Sequence, residues 1–445
     1  MPDGNIPFNL GVGVHVDSEP RVGFAYRSTS AIVVRGGFGM SHTPWQGLGY
    51  AYNYPVQTNI TFSPLNSYNP ALNDSGVPET MAQGFPAATT VPIPTDGILP
   101  NAAINSTWNV VNTNYKDPYV MSYNLTIEQN LGMNWVGTMS YLGNEGRQIP
   151  ASYNLNAGLI PGAGASGQPE YATFGRTAAT NLLGYGTTSN YNALQLRLDH
   201  RSSHGVAWTS SFAWQKAMGW VSNSVSDGGI GYYIDLRRNY SPASYTSALT
   251  YAQSFIYDLP FGPGQAWLQN GWAGKLIGGW KVAGILHVQT GTPLTVLANA
   301  NQLNAPGSSQ LANQVAPFKK LYGIGTKPWF DTTSFTQPSG IALGDSGVNI
   351  YSGPGLFTFD SSVFRTIPIH DSLSFELRVD AFNAFNHPVF ANPTTSLTSA
   401  SYGYVTGTAG TGINGTAGAP RALQLAGNPS LLGNIPVTAE AIYGP

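Results

Sequence analysis

Apolar residues recur at every second position through most of this chain, and this alternation is the feature that most limits its fold. Residues 373–380, LSFELRVD, are the clearest case, since every odd position is apolar and every even position is polar. Successive side chains of a β-strand point to opposite faces, so a period of two predicts strands with one apolar and one polar face. We therefore expect an all-β protein.

The alternating runs predict about twelve antiparallel strands. Their expected ranges are 8–16, 21–27, 31–40, 119–129, 133–143, 190–200, 206–217, 244–259, 280–290, 356–366, 373–386 and 419–426. Most of these runs have the ~9–11 residues that a tilted strand needs to cross a bilayer.

The connections between these runs alternate between short and long. The short ones cover 28–30, 130–134, 201–205 and 367–372, and the long ones cover about 41–118, 144–189, 218–243 and 291–355. A compact water-soluble domain rarely carries several loops of such length. Short periplasmic turns alternating with long extracellular loops are typical of an antiparallel transmembrane β-barrel, and the sequence predicts that architecture.

Composition agrees with a membrane β-structure. Charged residues make up 9% of the chain, whereas soluble domains contain about 25%. The net charge of -2 and the lack of a basic stripe argue against a nucleic-acid partner. There is no cysteine, which excludes disulfides and thiolate metal sites. Because the first residues do not resemble a signal peptide, we expect the natural N-terminus to lie upstream.

Motifs for catalysis or metal binding are weak. His200 and His204 flank a short turn instead of sharing a helix, and turn histidines are the favoured interpretation. Calcium ligands near Asp227 and Asp235 are too sparse. Nothing brings Asp331 and Asp360 together as the two carboxylates of a glycosidase. We expect no enzyme activity, no catalytic residue, no cofactor and no metal.

Two sets of residues are candidates for ligand contact. The first set carries charges on the polar faces of strands and is expected to face the barrel lumen; it comprises Glu128, Arg197, Asp199, Glu376, Arg378 and Asp380. Simple cross-strand charge pairing explains these residues equally well. The second set consists of loop aromatics that could stack on a ligand: Trp45, Tyr50, Tyr52, Tyr54, Trp108 and Tyr115. Loops packing on one another is the somewhat favoured alternative.

Several segments resemble Oar-like TonB-dependent receptors, which are abundant in acidobacteria. The matching segments, in order, are 140–147 (SYLGNEGR), 154–156 (NLN), 190–199 (NYNALQLRLD), 204–205, 212–216 (FAWQK), 258–262 (DLPFG), 279–284 (GWKVAG), 289–296 (QTGTPLTV), 329–331, 353–355, 359–360 and 382–388 (FNAFNHP). They span roughly residues 20 to 425. The resemblance implies an outer-membrane receptor or transporter in a Gram-negative envelope.

The resemblance also implies partners. These are outer-membrane lipid, the barrel assembly machinery, an extracellular ligand and the TonB system, which acts through an N-terminal plug. The plug, the TonB box and the carboxypeptidase-regulatory-like domain of the family do not match any part of this sequence. We therefore expect residues 1–426 to be the C-terminal part of a larger barrel. The segment 427–445 is expected to be an atypical tail, since Pro429 interrupts the last amphipathic run.

Three functional hypotheses remain at this stage. The leading one is a TonB-dependent receptor or transporter barrel for an unidentified ligand. A surface-displayed binding or adhesion protein without transport is the alternative, and a secreted β-rich hydrolase comes third. The functional inference depends on similarity of fold, which is weaker evidence than an identified binding or catalytic site.

Overall fold

A computed structural model describes residues 18–42, 107–111, 116–203, 205–220, 230–370, 373–409 and 437–443. The strands are β1 (Arg21–Arg27), β2 (Ile32–His42), β3 (Trp108–Val111), β4 (Tyr119–Gly132), β5 (Trp135–Asn154), β6 (Thr180–Ser203), β7 (Val206–Gly219), β8 (Ser241–Pro242), β9 (Leu249–Asp258), β10 (Trp280–Gln289), β11 (Pro293–Leu294), β12 (Asn313–Gln314), β13 (Phe335–Thr336), β14 (Tyr351–Ser352), β15 (Leu356–His370), β16 (Leu373–Ala381) and β17 (Val437–Tyr443).

In the ranges that the structure describes, the helices are few and short. They are α1 (Tyr171–Phe174), α2 (Gly271–Ile277) and the 3-10 turns Gly164–Gly167, Leu236–Asn239, Ala300–Gln302 and Thr332–Ser334. Among the residues that the structure describes, no helix has the length and apolar character needed to span a bilayer.

One large sheet organises the chain. Its order is β1-β2-β4-β5-β6-β7-β9-β10-β15-β16-β17, so the strands follow one another across the sheet in chain order. All of these neighbours are antiparallel. Short β8 extends the sheet beside β7, and β3 runs parallel to β6. Within the described residues the sheet is open, with β1 and β17 at its two edges. The expected antiparallel all-β architecture is confirmed.

The largest departures from the predicted strands occur in β5 and β6. These strands contain 20 and 24 residues, so they continue well into the predicted loop 144–189 and leave only 155–179 outside them. Pairing resumes beyond a bulge at Gln148, which has a φ of 54°, and runs from Ile149↔Thr187 to Asn154↔Asn181. Glycine and asparagine in this segment suggested a loop, but cross-strand pairing determines the structure here.

Other boundaries shift by a few residues. Strand β9 begins at Leu249 instead of 244, and β16 ends at Ala381 because Asn383 and Asn386 adopt positive φ values of 47° and 54°. Such left-handed residues interrupt a ladder. The predicted strands 8–16 and 419–426 lie outside the described residues. Strand β17 falls within 427–445, the expected tail, and pairs with β16.

The cross-strand register aligns the apolar positions of successive strands into one continuous surface, which we call the apolar face. Central members are Leu125, Ile127, Met139, Leu194, Leu196, Leu198, Phe212, Trp214, Phe255, Val282, Leu286, Val363, Leu377 and Val379. Many of these side chains are exposed, including Leu196 at 41% and Trp214 at 62%. A water-soluble sheet would cover such a surface, whereas the outside of a membrane barrel exposes it to lipid.

Aromatic rings cover glycines on this apolar face. A Cβ atom built on Gly284 would lie 2.6 Å from the Phe255 ring and 2.9 Å from the Phe359 ring. At Gly143 the corresponding distance to the Tyr123 ring is 2.2 Å. Only glycine leaves room for these rings to lie flat on a neighbouring strand, so each glycine and its ring form one packing unit.

The sheet has two different ends. Connections at one end are short turns, together with the 21-residue segment 259–279 that contains α2. We call this the short-turn end. The longer connections, including 155–179, 220–248 and 290–355, all leave from the opposite end, the long-loop end. In outer-membrane barrels, short turns face the periplasm and long loops face the cell exterior.

Part of the long-loop end folds into a body with its own core. Residues 291–355 and 389–409, which we call the loop unit, surround a buried cluster. The cluster comprises Leu294, Val296, Ala312, Trp329, Phe330, Phe335, Tyr351 and Val405. Phe330 makes edge-on ring contacts with Phe335 and Tyr402. The predicted long loop 291–355 is therefore a packed structure with very short strands.

Candidate functional site

The face opposite the apolar face is polar and carries all six charged residues predicted to face the lumen. They pair locally. Arg35 on β2 lies 2.9 Å from Glu128 on β4, and Arg197 lies 2.7 Å from Asp199 two positions along β6. On β16 the same spacing brings Arg378 within 2.9 Å of Asp380.

Further polar contacts complete these charge pairs. The Thr209 hydroxyl donates to Asp199 at 2.9 Å, the Thr366 hydroxyl donates to Glu376 at 3.3 Å, and Ser362 donates to Asp380. The structure thus forms pairs within β2–β4, β6–β7 and β15–β16 and does not gather the six charges into one cluster. Their proposed lumenal role stays a prediction.

The candidate loop aromatics are only partly described. Trp45, Tyr50, Tyr52, Tyr54 and Tyr115 lie outside the described residues. Trp108 lies on β3, where the guanidinium of Arg176 is 3.6 Å from the centre of its ring. This stacking occupies one face of the indole.

Arg176 is itself fully buried and holds the 155–179 loop together. Its Nε lies 2.8 Å from a carboxylate oxygen of Glu170, and the hydroxyl of Thr180 donates to the same oxygen at 2.8 Å. A buried arginine needs such compensation because an unpaired buried charge is very unfavourable. The ion pair of Arg176 and Glu170 therefore connects Trp108, which stacks on Arg176, to Thr180, the first residue of β6.

A cavity of about 480 Å³ opens on the polar face at the long-loop end. Strands β4 to β7, β9 and β10 form its wall, and residues 243–247 and Thr292 form its rim. Its hydrogen-bonding side chains are Asn144, Ser189, Asn190, Tyr191, Gln215, Tyr245, Thr246, Ser247, Thr250, Gln289 and Thr292. The volume suits a small molecule or part of a larger one.

Hydrogen bonds fix the middle of this cavity wall. The Tyr191 hydroxyl on β6 donates to Gln215 Oε1 on β7 at 2.7 Å, and Gln215 Nε2 donates to the carbonyl of Ser247 at 2.9 Å. Residue 247 is buried, so the amide of Gln215 connects the sheet to the loop that rims the cavity. The lining is thus preorganised before any ligand binds.

None of the residues that line the cavity carries a formal charge. In the strands that form the wall, the charges on the polar face lie towards the short-turn end, at Glu128, Arg197, Asp199, Asp258 and Lys281. The last two form an ion pair at 3.1 Å. The site therefore offers hydrogen-bond donors and acceptors, together with aromatic surface from Tyr191 and Tyr245, in a neutral environment.

The residues weighed for metal or acid–base chemistry have structural partners. His200 packs against Trp135 at 4.5 Å, and its Nδ1 lies 3.0 Å from the carbonyl of Val206. Asp331 accepts from the backbone and hydroxyl of Thr333, at 3.0 and 2.6 Å.

The remaining carboxylates are also engaged. Asp235 accepts from the backbone N–H of Arg237 at 3.2 Å, and Asp360 accepts from the backbone of Asn383 at 2.7 Å. His204 and Asp227 lie outside the described residues. In the part of the chain that the structure describes, no three acidic or histidine side chains are grouped as metal ligands.

Sequence reasoning did not single out the cavity residues. The available signal was the alternation of side chains along the strands: Tyr191, midway along β6, and Gln215, near the long-loop end of β7, both occupy polar-face positions. Their convergence with Ser247 requires the path of the 220–248 connection, and no periodic pattern encodes that path.

Comparisons with known proteins are consistent with this architecture. A family model described as an outer membrane beta barrel domain matches residues 3–424. No significant sequence match was found among curated proteins.

Solved structures with some similarity are outer-membrane receptors. They include the ferric-catecholate import receptor Fiu from E. coli K12, at 10% identity and a TM-score of 0.37, covering 86% of this chain and 32% of that one. The ferripyoverdine receptor of Pseudomonas aeruginosa has 10% identity and a TM-score of 0.39, with coverages of 91% and 31%. The siderophore receptor PirA from Acinetobacter baumannii has 13% identity and a TM-score of 0.38, with coverages of 83% and 37%.

The chain spans about a third of the length of these structures, and at such low scores they carry no functional argument here. The family match is different in kind, because it covers nearly the whole chain. It agrees with the continuous sheet, the exposed apolar face and the alternation of short and long connections. The chain belongs to the outer-membrane β-barrel domain family and is located in the outer membrane.

Proposed function

We propose that this chain forms the barrel of a TonB-dependent outer-membrane receptor that takes up an uncharged, hydrogen-bonding ligand. The observation that carries the proposal is the neutral, preorganised cavity at the long-loop end of the polar face. Dependence on TonB is supported by the ordered motifs from 140–147 to 382–388 that resemble the Oar-like receptors. In this proposal a plug and a TonB-contacting segment act with the barrel, and sequence N-terminal to the barrel supplies them.

The chemistry of the lining favours a neutral ligand. Transferring an ion into a site without a counter-charge is strongly unfavourable, whereas a neutral polar group loses little if it is hydrogen-bonded. Hydroxyl and amide side chains can satisfy a ligand rich in hydroxyl groups, and tyrosine rings can cover its C–H faces. A short neutral oligosaccharide fits these requirements, and so does an uncharged peptide segment.

Binding to the purified protein tests the ligand class. Neutral gluco- and xylo-oligosaccharides and a galacturonate oligosaccharide of equal length would be titrated calorimetrically. We expect measurable affinity for a neutral member and weak or no affinity for the charged one. Replacing Gln215 by alanine removes one hydrogen-bonding group worth about 0.5–1.5 kcal/mol, so affinity should fall roughly two- to tenfold.

A matched control is Lys281→Gln, which changes the polar face near the short-turn end, away from the cavity. It should leave affinity unchanged. Stronger binding of the galacturonate, or equal losses in both variants, would contradict the assignment of the cavity as the ligand site.

Transport is tested separately in cells. Uptake of the ligand identified by calorimetry should stop when the proton-motive force is collapsed or the TonB protein is deleted. Surface binding should persist under the same conditions.

A surface-binding protein without transport is the second candidate. The loop unit favours it, because a body with its own core at the extracellular end suits stable contact with a surface. Binding that never leads to energised uptake would select this candidate over the transporter.

A further inference from the structure

The connection 259–279 at the short-turn end is unusually compact for its length. It contains α2, and its backbone folds back on itself so closely that a Cβ on Gly262 would lie 2.6 Å from the Cα of Gly278. A Cβ on Gly274 would meet the carbonyl of Leu268 at 2.0 Å. These contacts give the segment a defined shape, and the ring packing of Phe261 on Trp267 at 5.6 Å reinforces it.

Arg365 fixes the side of the sheet on which α2 lies. This residue occupies an apolar-face position on β15, opposite Trp280 in the register. Its guanidinium donates to the carbonyl of Leu276 at 2.6 Å and to the carbonyl of Lys275. A cation at the C-terminal carbonyls of a helix is stabilising, and here it holds α2 on the side of the apolar face.

Large apolar side chains point away from the protein at this place. Trp272 is 79% exposed and Leu276 is 63% exposed; they are four residues apart and share one face of α2. Trp267, Leu268 and Ile277 are also exposed. An apolar patch of this kind on a protein surface marks an interaction.

We propose that α2 is an interfacial anchor that inserts Trp272 and Leu276 into the periplasmic leaflet of the outer membrane. The patch continues the apolar face, which lipid already contacts in this family's architecture. It lies at the level of Trp135, Trp208 and Trp280, which stand at the short-turn ends of their strands on the same face and mark the interface.

The charge pattern of the segment also fits lipid. Lys275 is the one charged residue in 259–279, and it is exposed at the end of α2. A lysine beside an apolar helix face can reach phosphate headgroups while its neighbours enter the acyl region. Phospholipid is therefore the occupant that the segment fits.

Depth-dependent quenching tests this directly. The protein, extracted from outer membranes, would be reconstituted into phosphatidylcholine vesicles with bromines either at carbons 6 and 7 or at carbons 11 and 12 of the acyl chain. Subtracting the emission of Trp272→Phe isolates the signal of Trp272. We expect a blue-shifted signal that the shallow bromines quench several-fold more than the deep ones.

A matched control is Trp329→Phe, since Trp329 is buried in the loop unit and should not be quenched by either lipid. Aqueous acrylamide quenching of Trp272 without bromolipid quenching would overturn the proposal, because the patch would then face water or a soluble partner. Arg365→Gln offers a second test that does not remove the tryptophan. Releasing α2 should change the ratio of shallow to deep quenching, and an unchanged ratio would contradict the role given to Arg365.

Discussion

The sheet and the loop unit use the same residue types in opposite ways. In the sheet, side chains such as Leu196 and Trp214 point outward and stay exposed, whereas Phe330 and Leu294 of the loop unit point inward and are buried. Both regions are rich in aromatic and branched residues. The difference shows that apolar side chains follow the surrounding solvent: lipid accepts them on the outside of the sheet, and water drives them into a core above it.

Charged groups follow the opposite arrangement to the apolar side chains in each region. The sheet places the ion pairs Arg35–Glu128, Arg197–Asp199, Lys281–Asp258 and Arg378–Asp380 on the face away from the apolar residues, while the loop unit keeps charged groups such as Asp331 at its surface. Two regions of one chain therefore obey two burial rules, and substitutions should have opposite effects in them.

The largest expected effect is loss of the loop-unit core. Replacing Phe330 by alanine removes a ring that is 0% exposed and leaves a cavity, at a cost of about 3–5 kcal/mol. We expect the loop unit to become sensitive to proteases while the sheet keeps its heat-modifiable migration on gels. Simultaneous loss of both properties would show that the two regions fold as one.

The second-largest effect is expected from a charge placed on the apolar face, which should destabilise the sheet. Leu196→Arg places a cation towards lipid within residues 190–200 of β6, the segment predicted to cross the bilayer, and such substitutions cost about 2–4 kcal/mol at the bilayer midplane. Its control, Gln195→Arg, adds the same side chain on the opposite face and should be nearly neutral. Equilibrium unfolding in vesicles measures both. Equal effects would contradict the assignment of the faces.

Filling a glycine beneath an aromatic ring should have a smaller effect. Gly284→Ala forces the rings of Phe255 and Phe359 away from the strand, and overpacking of this kind typically costs about 1–3 kcal/mol. The double variant with Phe255→Leu should recover part of the loss. Additive losses in the same unfolding assay would argue against the ring-on-glycine contact.

The smallest expected effect concerns pH. Hydrogen bonds from the hydroxyl and backbone of Thr333 hold the pKa of Asp331 below its ordinary value of 3.8. A carboxyl with a depressed folded-state pKa stabilises the folded form above its unfolded pKa, and this contribution disappears as the pH falls through the folded value. Protease resistance of the loop unit should therefore decline below about pH 3.8, and Asp331→Asn should decline less steeply. Identical pH profiles for the two proteins would show that the hydrogen bonds from Thr333 to Asp331 do not stabilise the loop unit.

The sheet was predictable because its determinants are local. Alternation in residues 190–199 or 373–380 assigns each side chain to a face whatever strand lies beside it. The loop-unit core was not predictable in the same way, because residues as distant as Leu294 and Val405 meet without a common period. The cavity was predictable only in part. The alternation of side chains places Tyr191 and Gln215 on the polar face, but only the fold brings Ser247 to them.

The lengths of β5 and β6 have a consequence for the cell surface. About ten of the 20 residues of β5 suffice to cross the hydrocarbon. The remaining ten, at ~3.3 Å each and with the usual tilt, carry the hairpin roughly 20–30 Å beyond the lipid. Its tip is stiffened by the buried pair of Arg176 and Glu170. An antibody, a phage or a neighbouring cell would therefore meet this rigid projection before it reached the barrel mouth.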